Sequence, residues 1–481
     1  MKNRPNVVVI ITDQENSNTI SCYGGQLKTP NIDKLARNGV KFNKNYVTSP
    51  LCVPSRASIW TSMYPHQFIM NANLNRSNQI HVNDDGRETE LPLDAITIGD
   101  LANKNGYLTG YFGKWHLGRE NSSQHGFQVF QTELRGSYEQ RMEEEKKIIF
   151  PKGYSRLDQQ SMESFEFQED TRMTDLAIEY IRNVRNSENP FFVVISLRFP
   201  HDPYTGPFND LLDHKKLTLS DNIWDSLERK PISQRRGIGR DIFVKEIGKI
   251  KNSEGENKLR KIYARYLGLV HLVDLNVGHV LNELENLKLK EDTIVVFTSD
   301  HGDMMGSHEL FFKGLTMYEE VTRVPLILSW DTHIPKGREV NTLTSMIDFT
   351  PTLLDLMKIP KPLSMMGESM RQLWDYSHNI RNAIFIELFE SYGEWGPIFS
   401  IRTESYKYNW YIGDNDELYS MNNDPYELEN LADKPESRDL IIGLREQIAR
   451  WLIQSGDISV SQMIRTYPGK KPNWVSLGDK N

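Results

Sequence analysis

A chain of 481 residues, with 38% hydrophobic and 25% charged residues, is long enough to bury a large core and has the balance of a water-soluble globular protein. Its formal charge of -8 argues against a general nucleic-acid binder, and no stretch approaches the roughly 20 apolar residues of a membrane span. With two cysteines, Cys22 and Cys52, a disulfide framework is excluded, although one bridge between them is possible.

The first apolar run, Val7 to Ile11, predicts a buried strand over Asn6 to Ile11. It follows too few residues to be a signal peptide, so a cytoplasmic location is expected, an exported form with a trimmed signal being the alternative. Helices are predicted over Pro30–Gly39 and Ile96–Gly106, then a strand over Leu108–Phe112. A polar, weakly periodic stretch, 119–170, leads to a helix over Thr171–Asn186 and a strand over Phe191–Leu197. A second polar stretch, 203–256, precedes a long helix from Lys258 to about Leu287, with apolar residues at Ile262, Leu269, Val273, Val277, Val280 and Leu284. Both polar stretches read as excursions over one face, of a length common in lids and substrate walls. Strands follow at Thr293–Thr298 and Val324–Ser329, and a helix at Pro351–Met357.

The strands are short and apolar almost throughout, which suits strands covered on both faces. Their alternation with helices predicts an α/β fold with a mainly parallel central sheet flanked by helices. Beyond about residue 380 the pattern changes to short strands at Ala383–Phe389, Ile398–Arg402, Tyr406–Tyr411 and Glu417–Met421, then a helix from Arg438 to about Ile453. The expected division is a catalytic domain over 1–380 and a smaller C-terminal α+β subdomain over 381–481.

Unusual polar residues fall at the strand ends. The first strand runs into Asp13-Gln14, the second into Gly113-Lys114-Trp115-His116, the third into Arg198-Phe199-Pro200-His201, the fourth into Asp300-His301-Gly302-Asp303. Carboxyl ends of parallel strands share one edge, where ligands bind. Asp13, Gln14, Asp300 and His301 form an oxygen-rich set with one imidazole, suited to Ca²⁺, Mg²⁺ or Mn²⁺. In Leu51-Cys52-Val53-Pro54-Ser55-Arg56, Pro54 suits a first helical turn, which puts Cys52 at a helix N-terminus where an anion is favoured. Soft sulfur is a poor partner for a hard cation, and an oxygen nucleophile at this position fits better. Taken alone, Cys52 reads first as a small buried residue, as a lone cysteine usually is, and second as a reactive thiolate.

These residues resemble the type I sulfatases of the alkaline phosphatase superfamily. Cys52-Val53-Pro54-Ser55-Arg56 fits the Cys-x-Pro-x-Arg motif in which cysteine is oxidised to formylglycine. Further matches run along the chain: Thr29 to Ala36, Gly113 to Gly118, Pro200 to Pro203, Ser299 to Asp303, Lys313-Gly314, Tyr318 to Glu320, Arg323 to Leu326, Glu417 to Tyr419, and Asp424 to Leu428.

The resemblance implies hydrolysis of a carbohydrate or small aryl sulfate ester, an alkaline phosphatase-like fold, and a maturation enzyme that makes the formylglycine. Asp13, Gln14, Asp300 and His301 would hold one divalent cation, calcium being expected, with residue 52 completing the site. Arg56 would stabilise the formylglycine, Lys114 and Lys313 would balance sulfate charge, His201 would be the acid for the departing alcohol and His116 the base that releases sulfate. Asn73 would contact sulfate, with Asn71 competing for that place. Gln14 stands where many sulfatases have Asp and resembles the choline sulfatase and phosphonate monoester hydrolase branch. A phosphonate or phosphate ester hydrolase on the same site is therefore the alternative, and a non-catalytic glycan-binding homologue a more distant one. Asp303 and His308 are expected to be loop residues and Cys22 structural, while Trp395 and Trp410 would either stack on the substrate or lie in the core or an interface.

Overall fold

The computed structural model describes residues 4–67, 90–118, 123–132, 168–225, 227–249, 251–375, 379–388 and 397–456. Its centre is an eight-stranded sheet in the order β5-β4-β6-β1-β7-β8-β2-β9. The strands are β1 (Asn6–Asp13), β2 (Val40–Phe42), β4 (Leu108–Gly113), β5 (Val129–Gln131), β6 (Phe191–Pro200), β7 (Thr293–Ser299), β8 (Leu326–Ser329) and β9 (Arg338–Val340). All pairings are parallel except those of β8 with β7 and β2. A two-stranded pair, β3 (Asn45–Tyr46) with β10 (Thr344–Ser345), lies beside it.

Alternation along the central strands sends their side chains to two cores. Val7, Val9 and Ile11 of β1 join Phe192, Val194, Ile294 and Val296 on one face. That face is covered by α2 (Cys52–Thr61), α3 (Ile98–Lys104) and α7 (Phe349–Leu356), which contribute Trp60, Ile98 and Leu353. Val8 and Ile10 turn the other way with Val193, Ile195, Val295 and Phe297. They meet α1 (Pro30–Arg37), α4 (Glu169–Val184) and α6 (Ser253–Asn286) through Leu35, Ile181, Val273 and Val277. Burying each of these side chains contributes about 1.5–3 kcal/mol, and burial on both faces explains why the strands carry no polar alternation.

Local chemistry moves several boundaries away from those expected. Helix α3 begins at Ile98 rather than Ile96 because Thr97 and Asp100 form a reciprocal capping box. Helix α6 begins at Ser253, five residues earlier than predicted, because Asn252 caps it by accepting from Gly255 N at 2.8 Å. The strand expected from Val324 starts at Leu326, after Pro325, which has no N–H to give to a ladder. The described part of the polar stretch 203–256 is not a detached lid. It contains α5 (Ile238–Glu246), and Tyr204, Leu217, Ile223 and Phe243 pack on the N-terminal half of α6.

The C-terminal part forms a four-stranded antiparallel sheet, β11 (Ala383–Leu388), β12 (Ile398–Thr403), β13 (Tyr406–Tyr411) and β14 (Glu417–Ser420). Helix α8 (Arg438–Gln454) covers it through Leu444, Ile448 and Trp451. No helix among the described residues is long and apolar enough to cross a membrane.

Candidate active site

The carboxyl ends of β1, β4, β6 and β7 meet the N-terminus of α2. Asp13 is the last residue of β1 and Asp300 follows β7, with Asp300 N bonded to Thr12 O at 3.1 Å. A sharp turn after β4 carries Lys114 and His116. Gly113 has φ +102°, and a side chain there would collide with the Ser196 carbonyl, so only glycine lets the strand turn this close to its neighbour. Cys52 opens α2 as expected, with Leu51 as the residue before it and Pro54 in the first turn. Neither cysteine is in a disulfide.

Ligand atoms of Asp13, Cys52, Asp300 and His301 all lie within 4.8 Å of one another, and all four residues are buried. Cys52 Sγ is 3.1 Å from His301 Nε2, 3.8 Å from Asp13 Oδ1, 3.0 Å from Lys313 Nζ and 3.7 Å from Lys114 Nζ. Burial pushes the Cys52 thiol up, but Lys114 and Lys313, helped by His301 and a hydrogen bond with His116, draw it well below its usual range. Burial and Cys52 likewise push the Asp13 carboxyl up, and Lys114, His201 and Lys313 hold it low. His301 is turned by its Nδ1–H, which donates to Gly302 O at 2.9 Å and leaves Nε2 facing the centre. His116, with a left-handed backbone (φ 60°), is drawn below its ordinary value by burial and by Lys114.

Two buried carboxylates, a carboxamide oxygen and an inward-facing imidazole nitrogen fit a divalent cation. Lys313 Nζ, 2.7 Å from Gln14 Oε1, marks that oxygen as facing the centre. The amide end of Gln14 donates to Asp303 Oδ2, which Tyr204 OH also bonds, while Asp303 Oδ1 accepts from Met305 N at 2.8 Å. Asp303 is thus more than the loop carboxylate its sequence suggested: it decides which end of Gln14 faces inward.

Arg56 lies fully buried beneath the centre. Its Nε donates to Asp300 Oδ2 at 2.7 Å, its Nη2 to Asp13 Oδ2 at 3.4 Å, and its Nη1 to Ser196 Oγ at 2.8 Å and Lys114 O at 2.9 Å. Its charged partners are the two aspartates, and Ser196 and the Lys114 carbonyl take the rest of the guanidinium, so it ties the two aspartates together beside residue 52. Lys114 and His201 are partly open to solvent, their side chains keeping 11% and 17% exposure. Lys114 pairs with Asp13, and His201 Nε2 lies 4.0 Å from Asp13 Oδ1.

The structure therefore brings together Asp13, Gln14, Cys52, Arg56, Lys114, His116, His201, Asp300, His301 and Lys313. Asn73, Asn71 and Trp395 lie outside the described residues. Trp410 does not face the centre: it packs on Phe399 and beneath the Arg445 guanidinium of α8. His308 is a buried loop residue held by Asp225 at 2.7 Å and Asn222 at 3.1 Å. Sequence reasoning missed Asp303, Tyr204 and Ser196; only the fourth polar residue of Asp300-His301-Gly302-Asp303 hinted at the first.

Comparison with known proteins agrees with this geometry. The sulfatase family matches residues 5–359, and the family described as N-sulphoglucosamine sulphohydrolase, C-terminal, matches residues 306–454. The chain belongs to the sulfatase family. It is 27% identical to the uncharacterized sulfatase YidJ of Escherichia coli, over 98% of this chain and 92% of that one. It is also 27% identical to an N-acetylglucosamine-6-O-sulfatase of Bacteroides thetaiotaomicron, over 90% and 83%. A solved structure of a protein designated BT4656, in complex with its substrate D-glucosamine-2-N,6-O-disulfate, superposes with a TM-score of 0.76 at 25% identity, covering 94% of this chain and 98% of the other.

Proposed function

We propose that the protein is a sulfatase for carbohydrate sulfate esters that works through a formylglycine made from Cys52 and one bound calcium ion. Sulfate-ester hydrolysis through a residue derived from Cys52 follows from the family and from the buried cluster around that residue. The observation that carries the reading is convergence on a single atom: Lys313, Lys114, His301 and Asp13 all lie within 3.8 Å of Cys52 Sγ. The carbohydrate part rests on the N-acetylglucosamine-6-O-sulfatase relative and on the glucosamine disulfate bound by the similar structure.

The hydrated formylglycine would supply one oxygen as nucleophile for sulfur and a second hydroxyl whose deprotonation would expel sulfate from the carbon and restore the aldehyde. Asp13, Gln14, Asp300 and His301 would hold a calcium ion, which would supply positive charge to the centre. Mn²⁺ and Mg²⁺ are the alternatives for the same donors. Lys114 and Lys313 bind the sulfate oxygens and balance the charge that spreads over them as the S–O bond breaks. His201, which is partly exposed, gives its proton to the departing alcohol oxygen. His116, held neutral by burial and by Lys114, takes the proton from the remaining hydroxyl. Arg56 keeps Asp13 and Asp300 in place. The maturation enzyme would act on Cys52-Val53-Pro54-Ser55-Arg56.

Turnover of 4-nitrophenyl sulfate should exceed that of 4-nitrophenyl phosphate and of a phenylphosphonate ester by orders of magnitude. N-acetylglucosamine 6-sulfate should then be desulfated. Dominant phosphonate or phosphodiester cleavage would assign the protein to the alternative reading that Gln14 suggested. Metal analysis of the purified protein should find about one calcium per chain.

A further inference from the structure

The strand that delivers His201 does not end as its neighbours do. Between β1 and β6 the parallel register runs unbroken from Val7–Phe192 to Ile11–Ser196, and the next pair is Asp13–Pro200. Two steps along β1 are therefore matched by four along β6. The extra chain, Leu197 to Phe199, bulges from the ladder, and a bulge beside a site re-aims the side chains that follow it.

Backbone N–H groups released from a ladder are costly to bury without partners. One side chain meets two of them. Asp170, in the first turn of α4 and 3% exposed, accepts from Arg198 N through both carboxylate oxygens, at 2.8 and 3.0 Å, and from Phe199 N at 2.8 Å. An acidic residue in a first helical turn is ordinarily explained by its own helix. This carboxylate turns instead to the strand. Two residues beyond the clamp, His201 Nδ1 is held by Asp202 O at 2.8 Å, and Nε2 points toward Asp13 and the centre.

We propose that Asp170 is a positioning residue of the catalytic centre: by clamping the amides of Arg198 and Phe199 it sets the bulge that aims His201 at the leaving-group oxygen. The proposal rests on His201 being the acid. In that step the S–O bond breaks, its electron pair stays on the alcohol oxygen, and that oxygen takes the proton from His201 Nε2. A nitrophenolate leaves without this help, whereas a more basic oxygen needs it.

The test is a series of para-substituted aryl sulfates of one shape, from 4-nitrophenyl to 4-methoxyphenyl, turned over by matured enzyme whose residue 52 has been checked by mass. Asp170→Asn places an N–H₂ group against one of the amides. It should change kcat on the nitrophenyl ester by no more than about threefold and lower it on the methoxyphenyl ester by about 30-fold or more. His201→Ala should show the same leaving-group dependence, and adding Asp170→Asn to it should cost little more. A uniform loss across the series in D170N, or no loss at all, would overturn the role of Asp170 while His201→Ala keeps its dependence. A uniform loss in His201→Ala would instead overturn the acid assignment itself. If D170N does not fold, Asp170→Ser, smaller and with one acceptor left, is measured in the same way.

Discussion

The protein buries two dense groups of charge, and they are built differently. Under the C-terminal sheet, Lys407 on β13 is fully buried and pairs with Glu319 at 3.0 Å and Glu427 at 2.9 Å. Arg402 approaches Glu319 at 3.5 Å, Tyr46 OH donates to Glu319 at 2.8 Å, and Glu427 accepts from Glu319 N at 2.8 Å. Each charge there has an opposite charge beside it, and with Tyr46 they tie β3, β12 and β13 together. Around Cys52 the ion pairs also converge on one atom: two lysines, a histidine and an aspartate face one sulfur, and Lys114 and His201 keep partial exposure. Buried charge alone therefore does not mark a reactive site. Convergence on one nucleophilic atom does.

The comparison is sharpest where one group can be broken without the other. Cys52→Ala should lower sulfate-ester turnover by about 10⁴-fold or more while leaving the thermal midpoint nearly unchanged. That loss corresponds to about 5.5 kcal/mol of transition-state stabilisation and none of folding. Lys407→Met should do the reverse. Two buried carboxylates lose their shared cation, so urea denaturation should find about 3–5 kcal/mol less stability, with kcat of the folded enzyme within about twofold. An equal loss of turnover in K407M would mean that the two groups are coupled, and the distinction would fail.

A smaller effect separates buried carboxyls by pH. Burial pushes the Asp170 carboxyl up to about 7, against hydrogen bonds from the Arg198 and Phe199 amides, and that of Asp274 up to about 6, against the amides of Ile32 and Asn31. Their ordinary value is 3.8. The folded state thus keeps protons that the unfolded chain has released. This contribution to stability is full below about pH 4 and is lost as pH rises through about 6 to 7. The thermal midpoint should fall between pH 5.5 and 8. The midpoint of D170N relative to wild type should rise over the same interval, because its side chain has no charge to bury. A difference independent of pH would contradict the assignment for Asp170.

Much of the site could be read before the fold was known, because chemistry-bearing residues sat directly after apolar runs. Asp13, Asp300, Lys114 and His201 are of this kind, and the parallel order of β4, β6, β1 and β7 puts them on one edge. What could not be read depends on contacts between distant segments. The orientation of Gln14 is decided by Asp303, 289 residues away, and by Tyr204. Arg56 shares a motif with Cys52, yet its partners Asp13, Asp300 and Ser196 come from the end of β1, the residue after β7 and the middle of β6. The antiparallel direction of β8 was also invisible, since a four-residue apolar strand buried on both faces looks the same in either direction. Trp410 suited a sugar, the core or an interface equally in sequence, and only the placing of Arg445 of α8 over its ring separates these.

The central claim is that residue 52 acts as an oxygen nucleophile made from cysteine. Its most direct test is the mass of the peptide containing residue 52, taken from enzyme produced with and without a maturation enzyme and assayed on 4-nitrophenyl sulfate. The predicted result is a peptide lighter by the difference between a thiol-bearing methylene and an aldehyde, with turnover proportional to the converted fraction. Full turnover from protein whose Cys52 is an intact thiol throughout would contradict the account.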